Sequence, residues 1–150
     1  MYRIYIVLLV LLSIFSIDAY ENELPSSSLT PGSSYNRIDL ICVCHKGYIS
    51  HKTISFETRK KVLERYSIPL SWASEYRIDM LIPESLGGTD SLNNLWPLKL
   101  KGKWNYEAKR RLEEKLVKLS CDGIIDLTMA RFEISTNWVE AYKKYFGDIR

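Results

Sequence analysis

The sequence predicts an α+β fold, a short antiparallel hairpin flanked by amphipathic helices. Three observations lead there. From Arg77 to Ile82, apolar Ile78, Met80 and Ile82 alternate with Arg77, Asp79 and Leu81, the period of a strand with one face in a core. Pro83 and the Gly87-Gly88 pair break that run and permit a tight reversal, after which Leu92 to Leu98 supplies a second short apolar strand. Two longer stretches, Asn105 to Ser120 and Asp126 to about Phe146, then repeat apolar residues at helical spacing.

The chain has 150 residues and 46% apolar content, which suits one domain with an ample core. Ten Tyr and four Trp exclude a disordered composition, and a net charge of +3 permits a polyanionic partner without demanding one. Met1 to Ala19 reads as a secretory signal peptide: Arg3 and the amino terminus carry positive charge, and Ile4 to Ile17 is apolar but too short for an ordinary membrane span. The expected organisation is therefore a signal at 1–19, a flexible Ser/Pro/Gly-rich leader at 20–37 and a folded domain at 38–150, exported, with no stable membrane span once the signal is removed. Nothing in the sequence sets the oligomeric state.

Along the domain, Cys42, Cys44 and Cys121 are the three cysteines, and export favours a disulfide with one thiol left over. His45 and His51 are the two histidines, expected on an exposed segment. Cys42, Cys44 and His45 match no common zinc spacing. Ser55 is a fitting N-cap for a helix to Tyr66, with Phe56, Val62, Leu63 and Tyr66 inward and Arg59, Lys60 and Lys61 on a solvated face. Pro69 ends it, and a connector with a buried Trp72 leads to the hairpin. Lys99, Lys101 and Lys103 surround Gly102 in a loop suited equally to phosphate contact or to solvent. Ala108, Leu112, Leu116 and Leu119 form the inner stripe of the next helix, with Lys109–Glu113 and Arg110–Glu114 as outer pairs four residues apart. Gly123 stops it. Asp126 or Thr128 caps the last helix, whose inner face is Ala130, Ile134, Trp138, Ala141 and Tyr145.

Chemistry concentrates between Tyr76 and Asn105. One strand carboxylate, Asp79, and two amides at loop and helix junctions, Asn94 and Asn105, are oxygen ligands of the kind a divalent cation uses. The residues Ile78-Asp79, Leu81-Ile82-Pro83, Leu86-Gly87-Gly88, Asn94-Leu95-Trp96-Pro97, Trp104-Asn105 and Lys109 together resemble the HNH nucleases. The likeness is to a small, often exported branch with the pattern Tyr-Glu-Ile-Asp-His-Leu-Ile-Pro, then Leu-Gly-Gly, Asn-Leu-Trp-Pro, Trp-Asn and Lys-Asp-x-Leu-Glu. It spans roughly residues 38 to 146 and implies a ββα-metal core.

In that family a single divalent ion, Mg2+ or similar, assists phosphodiester hydrolysis while the His takes a proton from water. Carried over residue by residue, the resemblance implies Asp79 and Asn105 as metal ligands, with the ion weakly held or absent. Asn94 would fix the loop, with Asn93 beside it able to share the task. Lys101, Lys103, Lys109 and Arg110 would face nucleic acid. It also implies a Cys42–Cys121 disulfide with Cys44 free, Cys44–Cys121 being the main rival. Three positions depart from the pattern: Met80 stands at the place of the general-base His, Arg77 at a Glu and Arg110 at an Asp. A thioether accepts no proton at neutral pH. The resulting expectation is a degenerate nuclease-like protein that can still bind nucleic acid. An active nuclease with another base, such as His45 or His51, and a secreted partner-binding scaffold are the alternatives.

Overall fold

The computed structural model describes residues 24–36, 43–44 and 53–149. The signal at 1–19, the expected domain start near residue 38, and Cys42, His45 and His51 lie outside the described residues. Helix α1 (Phe56–Arg65) begins at Ser55, whose side chain accepts from the Thr58 amide at 3.1 Å, as an N-cap should. Val62 and Leu63 are buried. The helix closes through Ser67, held at φ 55°, and Pro69 follows. Phe56 is 67% exposed and does not join the inner face. A 3₁₀ segment (Leu70–Glu75) leads to β1 (Tyr76–Met80), and there the expected burial of Trp72 fails, since its ring is 56% exposed. This six-residue 3₁₀ segment buries none of its side chains before the strand reaches the core.

β1 pairs antiparallel with β2 (Leu95–Lys99), with Ile78 opposite Pro97, Asp79 opposite Trp96 and Met80 opposite Leu95. The pleat separates two apolar clusters. Ile78, Met80 and Leu95 face α1 together with Val62 and Leu63. Trp96 and Leu98 face the two later helices. Asp79 shares the Trp96 face, so alternation carries this carboxylate towards the helical side of the hairpin. Pro97 is tolerated because each strand of a two-stranded sheet keeps a free edge.

The loop between the strands is held at Gly87 and Gly88 for different reasons. Gly87 adopts φ 80°. At Gly88 a Cβ would stand 1.8 Å from the Ile82 carbonyl oxygen, so only the missing side chain permits the approach. Residues 24–36, expected as part of a leader that buries little, are instead hydrogen-bonded along this loop. Ser34 bridges Gly88, the Gly32 amide donates to Asn93 O at 2.9 Å, and the Thr89 amide donates to Ser33 O at 3.0 Å. Thr30 is buried, donating to Leu95 O at 3.1 Å and lying 2.7 Å from the Tyr66 hydroxyl. The Ser, Pro and Gly content gives this segment the backbone freedom to follow the loop.

Two arginines of α1 fasten the irregular segments. Arg59, expected on a solvated face, donates to the carbonyls of Ala73 and Tyr76, and Arg65 donates to Leu92 O at 2.7 Å and Leu29 O at 2.8 Å. Helix α2 (Tyr106–Cys121) starts at the Asn105 cap and buries Ala108, Leu112, Leu116 and Leu119. Helix α3 (Leu127–Phe146) starts at the Asp126 cap and leaves helical geometry at Asn137 (φ −161°, ψ 92°), whose Oδ1 recaps the second half at the Glu140 amide, 3.0 Å away. Ala130, Ile134, Trp138 and Ala141 are buried there, and Tyr145 is half-buried beside them. Trp138 meets Trp104 edge-on at 6.0 Å. Among the described residues no helix is long and apolar enough to cross a membrane.

The disulfide joins Cys44 to Cys121 with Cα atoms 5.7 Å apart, which corrects the expected Cys42–Cys121 pairing. Val43 and Cys44 have helical backbone, and Val43 is buried. The pairing through Cys44, the main rival, is the one formed. The bridge spans 77 residues, for which chain entropy suggests about 4 kcal/mol. Cys44→Ser and Cys121→Ser should each lower the urea-unfolding free energy by about that amount, and Cys42→Ser should leave it within about 1 kcal/mol. Equal losses from all three variants, or a Cys42–Cys121 peptide in a non-reducing digest, would refute this pairing.

Candidate functional site

The chemistry-bearing residues meet where the end of β1 faces the first half of α2. Lys109 precedes Leu112 and Leu116 by three and seven positions on α2, so it shares their buried face. It is fully buried, not on the outer side as its spacing suggested. Its ammonium donates to the Met80 carbonyl at 2.7 Å and to Glu113 Oε1 at 2.5 Å. It lies 2.8 Å from Asp79 Oδ2 in an ion pair whose geometry is not that of an aligned hydrogen bond. Lys109 is therefore engaged by the protein itself and offers no open face to a phosphate.

The electrostatics follow from two carboxylates sharing one cation in a dry place. Burial pulls the Lys109 ammonium down, but Asp79 and Glu113 outweigh it and hold the group above its usual value. Burial pushes Glu113 up to about 7, with Asp79 adding to the rise and Lys109 opposing it.

Asn94 is buried, and both ends of its amide bind backbone. Oδ1 accepts from the Ile82 amide at 2.9 Å and the Ser33 amide at 3.3 Å, and Nδ2 donates to Ile82 O at 2.9 Å and Thr89 O at 2.7 Å. It pins both ends of the inter-strand loop and segment 24–36 at one point. Asn93 contributes its backbone carbonyl there, while its exposed side chain takes no part. Asn105 caps α2, accepting from the Ala108 amide at 3.1 Å and donating to Gly102 O at 2.9 Å. Met80 is half-buried against the α1 cluster, joining the apolar set of its strand.

The other residues expected to face nucleic acid are on the surface. Lys103 pairs with Asp148 at 3.0 Å. Arg110 is exposed and paired with Glu107 and Glu114. Lys101 is exposed in the loop before α2. Glu113 was the residue missed. Its spacing from Lys109 was visible, but not that an unpartnered Asp79 across the interface would draw Lys109 inward.

The oxygens proposed for a divalent cation do not fit that role as they stand. Asp79 is paired with an ammonium, Asn105 holds a helix cap and Asn94 binds four backbone groups. Among the described residues, no group of three or more His, Cys, Asp or Glu is arranged to hold a metal. A cavity of about 270 Å³ opens between segment 24–36 and the α3 kink, lined by Leu24, Thr30, Leu81 and Asn137, and none of the site residues lines it. No protein-family model, curated protein or solved structure matches the chain.

Two expectations follow. Asn94→Ala strands several buried backbone groups, each worth about 1–3 kcal/mol, so it should destabilise the fold by about 3 kcal/mol or more in urea while Asn93→Ala does little. Equal effects would contradict the pinning role. Glu113 binds its proton more tightly in the folded state than at its ordinary value of 4.5, so its contribution to stability is greatest below that pH and falls as pH rises to about 7. Unfolding free energies across that window should decline for the natural protein. The decline should flatten in Glu113→Gln, and an unaltered slope in that variant would count against the assignment.

Proposed function

We propose that this chain is an exported HNH nuclease-like protein that has lost phosphodiester hydrolysis and binds nucleic acid without cutting it. The observation that carries this reading is Met80. It directly follows Asp79, where the resemblance calls for a proton acceptor, and its side chain packs into an apolar cluster. The loss of a general base typically lowers a rate by about 10²–10⁴. The neighbouring Asp79 is neutralised by Lys109, which further removes the carboxylate that a divalent cation would need. The Cys44–Cys121 bridge supports an oxidising compartment and hence export.

In this reading the hairpin, the Asn94-pinned loop and α2 are a retained frame. What remains is a surface whose cations can meet a phosphate backbone in a sequence-independent, salt-sensitive way. One observation favours a second reading, an active nuclease. Glu113, with a pKa pushed up to about 7, has the proton affinity a general base needs near neutrality.

The test is nicking of supercoiled plasmid with Mg2+ or Mn2+ by the mature protein, Asp79→Ala, Glu113→Gln and Met80→His. The natural protein is expected to be silent. Met80→His should be silent as well, because Asp79 stays paired with Lys109. Nicking that disappears in both Asp79→Ala and Glu113→Gln would establish the second reading. Nicking by Met80→His alone would mean that the ion pair opens to a metal and that one substitution silenced the site. Absence of any salt-dependent DNA binding would leave a partner-binding scaffold.

A further inference from the structure

Arg77 and Asp79 lie two residues apart on β1 and so share a face of the strand. The Arg77 guanidinium carbon stands 4.2 Å above the centre of the Tyr106 ring, the first residue of α2. Arg77 is exposed and makes no ion pair and no hydrogen bond with a described residue. The neighbouring cations differ. Arg110 is paired with Glu107 and Glu114, Lys109 with Asp79 and Glu113, and Arg59 with backbone carbonyls. A guanidinium held over a ring by cation–π attraction, with no carboxylate partner, keeps N–H donors available, and that fork matches two phosphate oxygens.

Tyr106 ties this pair to the buried cluster. Burial raises its hydroxyl above the usual value, Arg77 lowers it, and Asp79, Glu113 and Glu107 raise it again. All four charged groups are therefore within electrostatic reach of one phenol, which stays a neutral O–H donor at neutral pH.

We propose that Arg77, held over the Tyr106 ring at the edge of the Asp79–Lys109–Glu113 cluster, is a phosphodiester-binding site for the backbone of nucleic acid. This deepens the nucleic-acid-binding reading above and rests on it. The cation comes from the chain, where the resemblance would place a carboxylate and a metal. The site takes one phosphate, reads no base, and weakens with salt.

The test uses the mature disulfide-bonded protein. Binding of a fluorescent 20-nucleotide DNA is measured from about 50 to 200 mM salt for the natural protein, Arg77→Gln, Arg77→Lys, Tyr106→Leu and Arg111→Gln. Arg111 is a charge control, stacked on Phe146 of α3 at 5.1 Å. In parallel, dimethyl phosphate is titrated while the Arg77 side-chain N–H resonance is followed by NMR. Arg77→Gln is expected to weaken DNA binding about tenfold and to lower the salt slope by about one. Arg77→Lys and Tyr106→Leu should fall between, and Arg111→Gln should stay within about twofold. Unchanged binding in Arg77→Gln overturns the site while nucleic-acid binding stands. A saturable dimethyl phosphate shift without DNA binding keeps the anion site and overturns the nucleic-acid reading. Absence of both responses overturns both.

Discussion

An ammonium group taken out of water costs several kcal/mol unless opposite charges and carbonyls surround it, so the burial of Lys109 constrains everything that faces it. Its partners come from two elements. Met80 O and Asp79 belong to β1, and Glu113 lies one turn further along α2. The contact thus sets the depth at which α2 seats against the hairpin, and with it the level of the Ala108–Leu112–Leu116 stripe over Trp96 and Leu98. Removing Lys109 would leave two carboxylates in a dry interface, which is far worse than an apolar replacement of all three groups. The cluster is therefore a device of specificity as much as of stability. The hairpin can meet α2 in other registers only by abandoning a buried charge.

The second constraint is the Asn94 amide. A side chain with two donors and an acceptor oxygen can replace a missing strand, and here it does so. It closes the loop from Ile82 to Thr89 and accepts from Ser33 of the segment laid across it. Gly88 is its steric counterpart, because the Ile82 carbonyl that Asn94 binds would collide with any Cβ at that position. Cluster and amide lie on opposite sides of Leu81, so the short run from Asp79 to Ile82 is held at both ends.

Much of this was legible in the residues. The Ser55 and Asp126 caps, the apolar stripe of α2 and the hairpin all follow from local rules, and local rules hold where one element decides its own geometry. The failures share a cause, since each depended on a partner distant in the chain. Lys109 looked like an outer-face residue because its i+4 partner Glu113 satisfied the local pattern, while Asp79, thirty positions earlier, was what drew it inward. Arg59 looked solvated because backbone carbonyls of irregular segments leave no trace in a sequence. The kink at Asn137 is the exception, since its cause is local. An Asn within an apolar period reads as a tolerated polar residue until its side chain is seen capping Glu140. The cysteine pairing was a choice between two thiols two positions apart, which spacing alone does not decide.

Charge balance makes the three departures at the site coherent. With Glu113 ionised, Asp79, Lys109 and Glu113 carry one net negative charge, and with Glu113 protonated they carry none. A carboxylate at position 77, as the resemblance would have it, would set a third anion beside this pair, an arrangement that needs an external cation to be tolerable. Arg77 reverses that sign from within the chain and is held in place by an aromatic face, with no carboxylate as its partner. Met80 fits the same reading, because a proton acceptor is of little use beside a carboxylate that is already paired with Lys109. Arg110 follows the pattern on the outer side, where it is engaged by two glutamates of its own helix. Under the proposed reading, the three departures from the resembled pattern replace a site for a divalent cation by one that carries its positive charge in the chain. In the proposed reading such a surface attracts a phosphate, and Glu113 is the one group at the cluster with a proton affinity near neutrality.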